Sequence, residues 1–198
     1  MSMSKQNREV EKSDLIAEEI YAKNRNQIRK KLVDYKKKRR VPVGPYSTFY
    51  FENYETMLAQ IQEMLHIEKG GDEQLKDELA AYNPLIPKGS ELVATVMFEI
   101  DNPITREDFL TKVGGIEKNF YIKFEDENIT ASPEKDVDRT SSDGKASSVH
   151  FVHFQFSDKQ ISKFKESNNI TIGIDHKIYN HSSVISPDIK KILIEDFA

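Results

Sequence analysis

The first residues that could do chemistry are Glu63 and His66, a Glu-x-x-His step inside FYFENYETMLAQIQEMLHIE. Carboxylate-bridged di-iron proteins take metal ligands from such steps, at helix positions that face inward. Helical geometry instead places Met57 and Ile61 on an apolar stripe and turns Glu63 and His66 away from it. The step therefore predicts that Glu63 and His66 lie on the polar side of the helix, which we call its polar back. They could form a metal site only where a neighbouring helix covers that side.

Four further histidines are candidate ligands for iron, manganese or zinc: His150, His153, His176 and His181. Neutral imidazoles near carboxylates could bind such a metal or move protons. His150 and His153 are three residues apart on a predicted strand, so they should face opposite sides of it. No pair has the spacing of a metal-binding motif, and unrelated surface histidines are the alternative. The cofactor is left open, except that a chain without cysteine excludes a thiolate-bound iron–sulfur cluster.

The basic residues are concentrated near the N-terminus. Residues 1–50 contain 13 Lys and Arg against 6 Asp and Glu, a net charge of +7, and the remainder carries −11 because the whole chain carries −4. The candidate residues for binding a partner or an anion are Arg39 and Arg40 at the end of this run, and Arg139 and Lys145 in a long polar loop. Docking of the basic arm on the acidic body of the same protein is the alternative.

An RNA-binding function would rest on the predicted strand Phe151-Val152-His153-Phe154. This strand matches the aromatic end of the RNA-recognition signature. The basic, glycine-containing start of that signature is absent, and Ser147-Ser148-Val149-His150 stands in its place. Nucleic acid is therefore the weaker prediction for a partner.

The apolar periodicity predicts an α+β protein. Residues 1–90 should form a helical layer of about three helices, separated by VPVGP and by Gly70-Gly71. Residues 91–198 should form a ferredoxin-like unit, with the order βαββαβ in one antiparallel sheet and a C-terminal helix. The two parts should pack into one compact domain.

Composition predicts a soluble, cytoplasmic protein. With 37% hydrophobic and 31% charged residues, the chain can build a core and is not expected to be disordered. No apolar run is long enough for a secretory signal or a membrane span, so no membrane partner is expected.

Two runs of the chain resemble a bacterial protein family. They are RRVPVGPYSTFYFENYETMLAQIQEMLHIEKGGDEQLKDELAAYNPLIPKGSELVATVMFEID, which starts at Arg39, and DVDRTSSDGKASSVHFVHF, which starts at Asp136. By these runs the chain is identified as a member of the domain-of-unknown-function 3501 family, over almost its whole length. The resemblance implies no assigned activity and carries over no catalytic residue. It implies a link to redox metabolism, because genes of the family often lie near those of rubrerythrin-like proteins and iron–sulfur oxidoreductases.

Three functions follow from these observations. The leading hypothesis is a cytoplasmic accessory or interaction protein for redox or oxidative-stress metabolism, which acts with a protein partner or as a homodimer. The second is a small metal-binding protein or metalloenzyme that uses the histidines and carboxylates named above. The third is an RNA-binding module.

Overall fold

The computed structural model describes residues 3–134 and 144–197, and these residues form an α+β protein. Its α-helices are α1 (Met3–Gln6), α2 (Glu18–Lys37), α3 (Tyr54–Glu68), α4 (Gly71–Tyr82), α5 (Pro103–Lys112), α6 (Asp158–Glu166) and α7 (Pro187–Leu193). Its strands are β1 (Arg40–Val43), β2 (Ser47–Glu52), β3 (Glu91–Phe98), β4 (Phe120–Phe124), β5 (Glu127–Thr130), β6 (Ser132–Pro133), β7 (Val149–Gln155), β8 (Ile170–His176) and β9 (Tyr179–Val184). No helix in the described ranges is both long and apolar enough to cross a membrane.

The strands form two antiparallel sheets that share one core. The larger sheet has the order β1-β2-β3-β7-β6, and the smaller sheet has the order β5-β4-β8-β9. Phe49 of the larger sheet meets Phe120 of the smaller one edge to face, with ring centroids 5.6 Å apart. Helices α5, α6 and α7 add Phe109, Phe164 and Leu193 to the same core.

A second apolar cluster lies between the other face of the larger sheet and the N-terminal helices. It contains Met57 and Ile61 of α3, Leu75 of α4 and Val93 of β3. Side chains alternate between the two faces of a strand, so β3 supplies Val93 to this cluster and Leu92 to the main core. Both faces of the larger sheet are therefore covered.

The predicted α+β class is confirmed, whereas the single ferredoxin-like sheet is not. β3 pairs with β7 in the larger sheet, and β4 pairs with β8 in the smaller one. Residues 40–52 were expected to separate two helices but form the hairpin β1–β2, which pairs with β3. The larger sheet therefore contains strands from both sides of the predicted boundary at residue 90, with β1 and β2 before it and β3, β6 and β7 after it. Periodicity identifies a strand, but its partner depends on long-range contacts that periodicity does not encode.

The turn of the β1–β2 hairpin is closed by Tyr179 from the smaller sheet. The Tyr179 hydroxyl donates to the carbonyl oxygen of Val43 at 2.7 Å and accepts from the backbone N–H of Tyr46 at 3.0 Å. Gly44 between them has φ +68°, and a Cβ there would lie 2.6 Å from Tyr179 and from the His181 ring. Helix α2 ends at Lys37, before VPVGP; this run instead supplies the end of β1 and a hairpin turn that needs glycine.

Candidate functional site

Helix α2 covers the polar back of α3, where Glu63 and His66 lie. Arg25 donates to Glu63 through two guanidinium nitrogens, and the Tyr21 hydroxyl donates to the same carboxylate at 2.6 Å. The hydrogen bond from Arg25 is the main cause that lowers the pKa of Glu63 to about 2, with burial opposing it and Tyr21 assisting. Nδ1 of His66 lies 2.8 Å from Glu18. The structure therefore places both residues in contacts that join α2 to α3.

His150 and His153 face opposite sides of β7, as predicted. His150 is fully buried between the two sheets, and its Nε2 lies 2.8 Å from the carbonyl oxygen of Ser147. The rings of Phe98 and Phe120 meet the His150 imidazole edge to face, at 5.8 and 5.7 Å. This histidine is part of the aromatic core.

His153 lies between two carboxylates on the helix-covered side of the larger sheet. Its Nδ1 is 2.9 Å from Glu91 and its Nε2 is 2.8 Å from Glu134. Both nitrogens must donate to satisfy these acceptors, which requires the imidazolium form. Burial alone would lower the pKa of His153, but the hydrogen bonds with Glu91 and Glu134 outweigh it and raise that pKa. The arrangement is a partly buried ionic network.

His176 and His181 lie on the hairpin formed by β8 and β9. Nδ1 of His176 accepts from the backbone N–H of Ile178 at 3.3 Å, and burial followed by the charge of Lys177 lowers the pKa of His176. The His181 ring packs against Tyr179 with centroids 4.6 Å apart. Across residues 3–134 and 144–197, no group of three or more His, Cys, Asp or Glu side chains is arranged to hold a metal ion.

Arg39 is buried, although it stands in the most basic run of the sequence. Its Nε donates to the carbonyl oxygen of Phe51 at 3.0 Å, and its Nη2 donates to the carboxylate of Asp196. Burial raises the pKa of Asp196 to about 6 even though Arg39 opposes the shift. The guanidinium of Arg39 therefore fixes the C-terminal residues to the larger sheet.

Of the other predicted anion-binding residues, Arg40 and Lys145 lie in different parts of the described structure. Arg40 is exposed at the start of β1. Nζ of Lys145 lies 3.3 Å from Glu107 on the surface near α5. Arg139 lies outside the described residues, so its place in a site stays a prediction.

The aromatic residues of the RNA-type strand β7 are used for packing. Phe154 is fully buried in the main core. Phe151 packs, partly buried, against the second apolar cluster under the N-terminal helices. Aromatic side chains that stack on RNA bases lie on an open sheet face, and helices cover this one.

A groove of about 810 Å³ lies between residues 3–17, which we call the strap, and helices α2 and α3. Its apolar walls include Ile28 and Leu32 of α2 and Leu58 and Ala59 of α3. The groove is also lined by the three tyrosines Tyr21, Tyr35 and Tyr54 and by seven charged residues, among them Lys31 and Glu195. A recess of this size that combines apolar walls with polar groups is typical of a binding site.

A second groove, of about 470 Å³, shares Ile16 and Gln62 with the first one. Ile16 of the strap is 41% exposed, and Ile20 in the first turn of α2 is 55% exposed. The apolar surface therefore continues from one groove to the next across the strap. Extended apolar surfaces of this kind mark protein interaction sites.

Two side-chain amides hold the strap on the body. The side chain of Gln62 accepts from the N–H of Ile16 at 2.8 Å and donates to the carbonyl oxygen of Ile16 at 3.1 Å. Asn83 binds the N–H and carbonyl oxygen of Val10 in the same way, at 2.7 and 3.1 Å. Val10 itself is buried. The strap is thus held through its backbone, through buried Val10, and through side-chain contacts of Lys5, Arg8 and Lys12 with the rest of the protein.

No sequence motif marks the groove. Helical spacing relates Ile28, Leu32 and Tyr35, which indicates a helix face that packs against another element of the protein or against a partner. Of the twenty residues of α2, however, only Tyr21 is buried. The recess exists because Tyr21 and Arg25 fix α2 on α3 while the apolar residues further along α2 are left partly open.

Comparison with known proteins identifies the family. The family described as Protein of unknown function (DUF3501) matches residues 9–197. A 1.90 Å crystal structure of a novel protein of unknown function from Burkholderia pseudomallei K96243 is 35% identical in sequence, with a TM-score of 0.88 over 96% of this chain and 99% of that one. None of the curated proteins compared matches the chain. The resemblance seen in the sequence is confirmed, and the chain belongs to the DUF3501 family.

Proposed function

We propose that this protein is a non-catalytic accessory protein that binds an apolar segment of a partner protein in the groove between the strap, α2 and α3. The observation that carries the proposal is the open apolar side of α2. Ile28 and Leu32 line a groove of about 810 Å³ opposite Leu58. Apolar side chains left in contact with water favour association, because burying them removes apolar surface from water.

A protein segment fits this surface better than a single small molecule does. The two grooves adjoin at Ile16 and Gln62, so the apolar surface is longer than either groove alone. An amphipathic helix that places its apolar stripe in a groove between two helices is a common mode of peptide recognition. The exposed side chains of Ile16 and Ile20 would then be buried by the partner.

The contacts of the predicted metal ligands support a non-catalytic role. Glu63 is held by Arg25 and Tyr21, and His153 is held by Glu91 and Glu134. These contacts occupy the atoms through which Glu63 and His153 would bind a metal. A partner in redox or oxidative-stress metabolism and a cytoplasmic location complete the proposal, and both rest on the family resemblance and the composition.

The proposal is tested by selecting phage-displayed peptides of about 16 residues on the wild-type protein. We expect enriched peptides with apolar residues at i, i+3 or i+4, and i+7, the pattern of a helix that docks in a groove. Leu32→Glu or Leu58→Glu should weaken their binding at least roughly tenfold, because each puts a charge in the apolar groove. Val33→Glu is the matched control, since Val33 is the neighbouring residue of α2 and is 53% exposed.

The proposal fails if no peptide family is enriched. It also fails if the enriched peptides bind the Leu32→Glu and Leu58→Glu proteins as tightly as the wild type. Circular dichroism of each variant shows whether the helical content is retained.

A further inference from the structure

We infer that the partner segment bound in the groove is an amphipathic helix with carboxylates along one flank, which pair with a row of lysines on α2. The row consists of Lys23, Lys30, Lys31 and Lys38, and we call it the lysine ridge. The inference rests on the proposed function, because it assigns the charge of the segment that the groove binds.

The cations of α2 and of the residues that follow it divide into two sets. Residues 20–41 contain ten Lys and Arg and one acid, Asp34, which pairs with Lys37 at 3.1 Å. On the side that faces α3 and β2, three cations lie within 3.9 Å of a carboxylate of those elements, and they are Arg25, Arg29 and Lys36. The four lysines of the ridge are exposed, and none of them forms an ion pair with any residue in the described ranges. The ridge is therefore a row of cations that the protein itself does not neutralise.

The lysine ridge borders the groove. Lys31 is part of the groove wall, beside Ile28 and Leu32. Lys38 follows Lys31 by seven residues, close to two helical turns, and therefore lies on the same side of α2. A partner helix in the groove would run beside α2, as neighbouring helices of a coiled coil do. Charged pairs that flank an apolar seam between two helices set the choice of partner and its orientation.

The remaining charged residues of the groove wall are matched within the chain, apart from Glu195. The matched residues are Lys5 with Glu55, Arg8 with the carbonyl oxygen of Pro87, Asp196 with Arg39, and Asp14 with the Ser4 hydroxyl. Glu195 is exposed and forms no ion pair within the described part of the chain. A carboxylate of the partner is thus attracted beside α2 and repelled beside Glu195. The acidic residues therefore belong on one flank of the bound helix.

The aromatic rings of the groove favour a protein over single-stranded RNA as the acidic partner. RNA bases stack on open aromatic faces, whereas Tyr21 and Tyr54 in the groove wall are buried. A phosphate chain on the ridge would also leave the apolar side chains of Ile28 and Leu58 in water. An amphipathic acidic helix uses both the apolar wall and the lysines.

The test uses the peptide most enriched by selection on the wild-type protein, synthesised in three versions. On the flank beside the apolar pattern, the versions carry glutamate, glutamine or lysine. Fluorescence anisotropy with the full chain should show the tightest binding for the glutamate version and the weakest for the lysine version. At low salt their Kd values should differ roughly tenfold, because several exposed charge pairs act together. In about 0.5 M NaCl the difference should become smaller, because salt screens exposed charges.

Charge reversal on the ridge shows whether the ranking depends on α2. Lys31→Glu/Lys38→Glu should bind the lysine version more tightly than the glutamate version. Lys118→Glu/Lys177→Glu makes the same change in net charge at exposed positions outside the groove and should keep the wild-type ranking. Lys31→Gln/Lys38→Gln adds no acid to the end of the helix and should reduce the preference below about threefold. This neutral variant decides the test if circular dichroism shows that the charge-reversed protein has lost helix.

The inference is overturned if the three versions bind the wild type equally, or if the ridge variants keep the wild-type ranking. It is also overturned if oligouridylate of about 16 nucleotides binds more tightly than the glutamate version. The glutamine version separates this inference from the proposed function, since it carries no charge for the ridge. If Leu58→Glu leaves its binding unchanged, the proposed function fails whatever the ranking of the charged versions. If the selection enriches no peptide, both fail.

Discussion

At the scale of single residues, the molecule uses its ionisable groups to connect elements. His153 is the clearest case, because its two nitrogens contact Glu91 on β3 and Glu134 just after β6. The Gln155 side chain donates to Glu91 as well. The sequence predicted that His153 and His150 lie on opposite sides of their strand, since that follows from the period of 2. It could not predict the two carboxylates, because Glu91 comes from β3 and Glu134 from the segment after β6, and only the pairing of β3 and β6 with β7 brings them to His153.

Replacing His153 with Gln should lower the free energy of unfolding by about 2 kcal/mol at pH 6, because two partly buried carboxylates lose their cation. The pKa of His153 is raised in the folded state, so its stabilisation is complete below pH 6.5 and is lost as the pH rises through the raised pKa. The pKa of Glu91 is lowered in the folded state, so the stabilisation that Glu91 contributes is lost as the pH falls below 4.5. Urea unfolding between pH 5 and 9 should therefore show a smaller decrease in stability with pH for His153→Gln than for the wild type. The exposed replacement His181→Gln is the control, and an equal decrease in both variants would contradict the prediction.

At the scale of elements, α2 is attached to α3 mainly at Glu63, which pairs with Arg25, and also through the buried Tyr21 ring and the contact of His66 with Glu18. Glu63 accepts from Arg25 and Tyr21, and Tyr21 is the buried residue of α2. Helical spacing predicted that Glu63 points away from the apolar stripe, and it does. The Glu63 carboxylate could have faced solvent, a metal or another helix. The outcome depended on where α2 docks, and no local sequence pattern specifies that position.

Glu63→Gln should loosen α2 without unfolding the body. We expect a loss of about 1 kcal/mol in the free energy of unfolding, since the pair lies close to the surface, where water screens it. Hydrogen exchange measured by mass spectrometry should become faster in residues 18–37 and should stay unchanged in β3 and β7. Glu68→Gln in the same helix is the control and should change stability by less than about 0.5 kcal/mol. Unchanged exchange in α2 would show that Glu63 does not hold it.

At the scale of the whole molecule, Asp196 and Phe197 join the main core to the start of the β1–β2 hairpin. The Phe197 ring lies 5.0 Å from Phe156 and 5.6 Å from Phe164, in the core between the sheets. Next to it, Asp196 pairs with Arg39 at the start of the β1–β2 hairpin. Phe197 is therefore part of the core to which the β1–β2 hairpin also contributes.

Phe197→Ala should destabilise the whole protein by about 3 to 4 kcal/mol, because it removes a buried ring and leaves a cavity. The ring packs on elements of one shared core. The midpoints of the urea unfolding curves recorded by tyrosine fluorescence and by circular dichroism should therefore shift by the same amount. Ile178→Ala in the exposed turn between β8 and β9 is the control and should change stability by less than about 0.5 kcal/mol. A shift of about the control size for Phe197→Ala would contradict this role of the C-terminus.

The sequence by itself determined the α+β class, the helices around residues 54–68 and 71–82, the alternation along β3 and β7, and the family. These features depend on local periodicity, on helix-breaking residues and on long characteristic runs of sequence. The tertiary structure decided that the strands divide into two sheets, that VPVGP ends β1 and opens a hairpin turn closed by Tyr179, and that Arg39 is buried. It also decided that α2 covers Glu63 and leaves a groove beside Leu32. Each of these depends on contacts between residues far apart in the chain, and no local pattern records them.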